Sequence, residues 1–128
     1  MLRQHCFLRL KFTTRIPNTR AAVLESVRVR YSQELVYTYS GLVLIAMNPF
    51  RSLNVYSREC MRLYAGRSRN ELEPHLFAIA EEAYRKMIDF SQNQSIIVSG
   101  ESGAGKTQSA KYVMRYFATV FFGFNLVG

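Results

Sequence analysis

The stretch Gly100-Glu101-Ser102-Gly103-Ala104-Gly105-Lys106-Thr107 constrains this chain more than any other. It fits G-x-x-x-x-G-K-[ST], a loop that cradles phosphates between the end of a strand and the start of a helix. The surroundings suit that placement. Ser95–Val98 is a short β-branched run that reads as a buried strand. Beyond the loop, Ala110, Val113, Met114, Phe117 and Phe121 recur at helical spacing, with Gln108, Lys111 and Arg115 on the polar side. Each residue type then has a physical task. Glycines let consecutive backbone N–H groups turn inward without a Cβ in the way, forming a concave anion nest. The helix N-terminus adds roughly half a positive charge at the same place. Lys106 is placed to reach the β- and γ-phosphates, and the Thr107 hydroxyl to ligate Mg²⁺. Gly100, Glu101, Ser102, Gly103, Ala104, Gly105, Lys106 and Thr107 are therefore the candidate nucleotide-binding residues, with Thr107 as the candidate metal ligand.

Composition limits the alternatives. A chain of 128 residues suits one domain, which buries roughly two-thirds of its chain surface on folding. No apolar run approaches the roughly 20 residues that a membrane span requires. The net charge is +8, but residues 1–30 carry seven Lys/Arg against Glu25 alone. The excess thus sits in an N-terminal segment, not in a basic patch interleaved with aromatics, which argues against nucleic acid as a partner. Residues 1–20 match no element of the rest. Their basic, acid-free composition is shared with organellar transit peptides, though these are richer in Ser, and an arbitrary start is the expectation. His5 reads as a solvated residue. Cys6 and Cys60 lack metal-ligand spacing, so neither a disulfide nor a zinc site is expected, and a reducing compartment is the default.

From Ala21 to Ser32, Val23, Leu24, Val27 and Tyr31 form a helical face, with Glu25, Arg28 and Arg30 outside it and Asn18 or Thr19 as cap. Leu35–Tyr39 and Leu42–Met47 read as two strands joined at Ser40-Gly41, the second apolar on both faces and so expected to be covered on both. Pro49 ends that strand. Ser57 begins a short helix to Tyr64 or Ala65, with Gly66 as its stop. Arg67, Arg69 and Asn70 read as a solvated loop. Pro74 is expected in the first turn of the next helix, beside Glu71 and Glu73. That helix buries Leu76, Phe77, Ala80, Tyr84, Met87 and Ile88. Glu81–Arg85 and Glu82–Lys86 fall on what reads as its solvated face. The apolar run after Val120 looks cut. The fold class expected is α/β: a P-loop NTPase-type mixed sheet with flanking helices, incomplete in residues 21–128.

With these segments placed, the chain resembles the N-terminal part of a myosin motor domain. The loop GESGAGKT is the form myosins use, preceded by QNQSIIVS and followed by SAKYVMRYFA. Upstream, VYTYSGLVLIAMNPF is similar to the myosin hairpin that runs into the purine-binding loop. There Asn48, Pro49 and Tyr56 match the family residues that cradle adenine. LEPHLFAIAEEAYRKM resembles the helix before the phosphate loop, in wording most like fungal class V myosins. The likeness covers about residues 22–120.

This resemblance implies ATP and Mg²⁺ as cofactors, actin filaments as partner, and a cytoplasmic place in a myosin complex on the actin cytoskeleton. It also implies that switch I, switch II, the actin-binding cleft and the light-chain-binding neck belong to sequence beyond residue 128, so that the piece alone is not a competent motor. Two other readings compete: a stand-alone binding module, and another P-loop enzyme. A GTPase needs an Asn-Lys-x-Asp-like motif, which is absent.

Overall fold

The computed structural model describes residues 19–123. Expectations for residues 1–18, His5 and Cys6 among them, and for residues 124–128 lie outside the described residues. Six elements follow in order: α1 (Arg20–Ser32), β1 (Tyr37–Ser40), β2 (Val43–Ala46), α2 (Arg58–Tyr64), α3 (Leu76–Phe90) and α4 (Lys106–Phe121).

Local chemistry explains most boundaries. The Thr19 hydroxyl accepts from Ala22 N–H and starts α1, as Ser57 does for α2 through Cys60 N–H. The strands form an antiparallel hairpin with Tyr37 opposite Ala46 and Ser40 opposite Val43. The turn is Gly41-Leu42, one residue later than the sequence suggests, with Gly41 at φ +57°. Arg69 secures it, donating to the carbonyls of Gly41 and Leu42 while its guanidinium lies 4.2 Å over the Tyr39 ring. The expectation that Arg69 is solvated is thereby corrected: cation–π and carbonyl contacts draw it in.

α3 is capped by His75, whose Nδ1 accepts from Phe77 N–H at 3.0 Å. Pro74 therefore stands just outside the helix, not in its first turn. Glu73 instead pairs with Arg30 of α1 at 3.0 Å, and Glu71 caps the turn at Ser68. The core gathers where α2, α3 and α4 meet the hairpin, around the fully buried Met61, Phe77, Tyr116 and Thr119.

In place of the expected mixed sheet, the described residues form a two-stranded antiparallel hairpin. Ser95–Val98 forms no strand. Among the described residues it has no ladder partner, and a strand exists only by pairing. It keeps the strand alternation nonetheless: Ile96 and Val98 line a groove between α3 and α4, while Ile97 is 89% exposed. β2 is covered only in part, Leu44 packing against the core while Val43 is exposed, and much of the α1 face at Leu24 and Tyr31 is exposed as well.

Candidate functional site

The loop and the first turn of α4 are built around two glycines that no other residue replaces without strain. Gly103 has φ +79°, and Gly105, the N-cap of α4, has φ +95°. Ala104 N–H donates to Glu101 carbonyl at 3.2 Å, tightening the crown, and Ser109 N–H donates to Gly105 carbonyl at 3.0 Å, starting the helix. A Cβ at Gly100 would lie 3.2 Å from that of Ala104. Lys106 is the first residue of α4, and its ammonium donates to the carbonyls of Gly100 and Glu101, the latter at 2.9 Å. Thr107 follows, exposed, in the same turn. No side chain caps the first turn of α4. The loop thus presents main-chain N–H groups, a helix N-terminus and an ammonium at one rim. That donor set fits a polyphosphate anion.

The upstream residues are placed unequally. Asn48 touches the loop directly: its Nδ2 donates to Gly103 carbonyl at 3.0 Å, and its Oδ1 accepts from Phe50 N–H at 2.9 Å. Pro49 follows, half-buried. Tyr56 is packed into the core edge. Its ring stacks on Tyr112 of α4 at 3.8 Å and 5°, and its hydroxyl shares a 2.8 Å hydrogen bond with Tyr37. Burial raises the Tyr56 hydroxyl pKa above its ordinary value, so the residue acts as a neutral ring. Asn48 and the loop are brought together; Tyr56 is fixed to the helix that follows the loop.

Sequence reasoning misses the groups that support this site. Glu81 is 3% exposed, not solvated. Its carboxylate accepts from Gly66 N–H at 2.8 Å, Arg85 Nε at 3.0 Å and Tyr116 hydroxyl at 2.7 Å, joining the end of α2 and the middle of α4 to α3. Three donors replace its hydration, which is how a carboxylate becomes buried. The Arg85 partner is correctly foreseen; the other two are tertiary. Tyr112 and Tyr116 stand one turn apart beside Val113, so a second apolar stripe of α4 was visible in the aromatic spacing. Met114 and Phe121 of the expected stripe are exposed, while Val113 is buried against the core. His75 carried no helical signal at all. It is buried among Tyr37, Tyr64 and Phe77, and burial pushes its pKa down to about 4, with the nearby Val55 backbone acting the other way.

Among the described residues no helix is long and apolar enough to cross a membrane. None of their His, Cys, Asp and Glu side chains cluster as a ready metal site.

Comparison with known proteins accounts for this combination of loop, hairpin and helices. Residues 14–123 match the family described as "Myosin head (motor domain)". Myosin-2 of Lachancea kluyveri is 65% identical over 100 residues, 77% of this chain and 6% of that protein. Myosin-4 of Saccharomyces cerevisiae is 60% identical over 100 residues, again 77% of this chain and 7% of the relative. Human unconventional myosin-Vc is 55% identical over the same length, 77% of this chain and 6% of its own. The chain therefore spans only a small part of the relatives it matches. With a family model covering most of its length and identities of this size, the chain belongs to the myosin head (motor domain) family.

Proposed function

We propose that this chain is the ATP-binding portion of an actin-based motor ATPase, and that its fold is a piece of a P-loop NTPase-type mixed sheet. The observation that carries the reading is the Gly100–Thr107 loop, with Gly103 and Gly105 in the left-handed region and the Lys106 ammonium at its rim. Family membership supports the wider activity. Within Gly100 to Gly105 the main-chain N–H groups, apart from that of Ala104 held by Glu101, are offered to the phosphates, Lys106 offers its charge, and the Thr107 hydroxyl offers an oxygen ligand to Mg²⁺. Pro49 and Tyr56, with Asn48 at the junction, form the side of the site assigned to adenine. Mg²⁺ in such a site neutralises charge that develops on the phosphoryl oxygens. The domain division proposed takes residues 21–128 as the motor portion and residues 1–20 as a separate segment, although the family match itself begins at residue 14. Actin filaments and light chains engage the whole motor, which places the protein at the actin cytoskeleton in a myosin complex. The relative named unconventional myosin-Vc supports class V.

These residues hold and orient, but they supply no group to position a water. Glu101 lies in the loop, Glu81 is engaged with α2 and α4, and Glu82 is paired with Lys86. Phosphoryl transfer depends on positioning and charge stabilisation from every side, so the chain alone binds without motor-like turnover. Titration with a fluorescent ATP analogue tests the binding. Lys106→Ala removes a charge-assisted contact of about 1.5–3 kcal/mol and weakens affinity by tenfold or more. Equal affinity in that variant overturns the proposal. Phosphate release stimulated by actin and abolished in Lys106→Ala overturns the statement about turnover.

A further inference from the structure

Asn48 has its amide committed at both ends. The Phe50 N–H is a donor and must meet Oδ1; the Gly103 carbonyl is an acceptor and must meet Nδ2. The two contacts fix the orientation of the amide without ambiguity. One bond shapes the Asn48-Pro49-Phe50 turn, as Asx side chains do two residues ahead. The other spans 55 positions of sequence to reach the crown of the phosphate loop. Beyond the Lys106 ammonium, which holds the carbonyls of Gly100 and Glu101, the crown is tied only within itself: Glu101, Ser102, Gly103 and Ala104 are all exposed, and Ala104 N–H donates to Glu101. Gly105 also faces Asn48, since a Cβ built there would lie 3.9 Å from the Asn48 amide nitrogen.

We infer that Asn48 is a positioning residue that braces the crown of the Gly100–Thr107 loop through the Gly103 carbonyl, instead of reading the nucleotide base. The inference deepens the phosphate-loop reading and rests on it for its functional consequence. Both ends of the amide are already engaged by the protein, so its orientation is set by the turn and the crown and not by a base. A brace acts differently: it fixes the direction of the Gly103–Ala104 peptide, whose N–H is tied to the Glu101 carbonyl, and so the shape of the crown from which the neighbouring N–H groups project. Its loss weakens any polyphosphate, with or without a base.

Asn48→Ser is the test variant. A serine hydroxyl retains an acceptor for Phe50 N–H but is too short to reach Gly103, so the turn survives without the brace. Two measurements on the full 128-residue chain separate the claims. With ¹⁵N-alanine labelling, the Ala104 amide resonance shifts and its hydrogen exchange accelerates in the variant, because the preceding carbonyl loses a donor. An Ala104 amide that is unmoved and exchanges at the original rate overturns the brace. Tripolyphosphate and ATP are then titrated into both proteins. The expected loss is about 2- to 12-fold for both ligands alike, the range of one neutral hydrogen bond. A loss for ATP with none for tripolyphosphate makes Asn48 a base reader and overturns the inference. If the unaltered chain binds neither ligand, the phosphate-loop reading falls, while the Ala104 resonance still decides whether the brace exists.

Discussion

His75 does two things with one ring. It caps α3 through Nδ1, and it fills the space between Tyr64, Tyr37 and Phe77. Both tasks require the neutral form, because a protonated Nδ1 has no lone pair for Phe77 N–H and burial disfavours the charge. The folded pKa of about 4 lies below the ordinary 6.5, so the contribution to stability is complete above about pH 6.5. It is lost as pH falls from there through about 4. The most this group contributes is about 3 kcal/mol, from the size of that shift. Urea unfolding between pH 7 and pH 4 reads it. His75→Asn keeps an acceptor suited to an N-cap but does not titrate, and its stability profile is flatter than that of the parent. Parallel profiles for the two proteins reject this account.

Between elements, the Tyr116–Glu81 bond ties α4 to α3. α4 carries the phosphate loop at its first turn, and α3 holds α4 through Phe77 on Tyr116 at 5.1 Å and through the Glu81 carboxylate. Tyr116→Phe preserves the ring packing and removes one donor. A buried carboxylate oxygen is then left unsatisfied, which destabilises the chain by about 1–3 kcal/mol. Lys86→Ala breaks an exposed pair with Glu82 in the same helix and changes stability by less than about 0.5 kcal/mol. Midpoints of urea unfolding for the two variants measure the contrast. Equal midpoints mean that burial of Glu81 carries no weight.

Over the whole molecule, apolar surface is left uncovered along two faces. A groove of about 290 Å³ lies between α3, Ile96, Val98 and α4, and one of about 480 Å³ lies between α1 and β2. Leu42, Ile97, Met114 and Phe121 stand out beside them, each at least 69% exposed. Patches of this kind bind other apolar surface when they find it. The isolated chain therefore binds the dye ANS strongly and associates as its concentration rises, in fluorescence and analytical sedimentation. A dispersed monomer without ANS binding counts against this picture.

What the chain determined locally was legible. Loop chemistry, helix caps at Thr19 and Ser57, the hairpin, and the pairs Glu81–Arg85 and Glu82–Lys86 all depend on residues within a few positions of one another. The family likeness rested on these same contiguous motifs. Tertiary structure alone decided the remainder. Whether Ser95–Val98 becomes a strand depends on a partner, and pairing is not a property of the segment. Glu81 is buried because Gly66 and Tyr116 converge on it from other elements. Asn48 meets Gly103 for the same reason: hydrogen bonds between distant residues follow from where elements pack, and side-chain periodicity along one element carries no record of them.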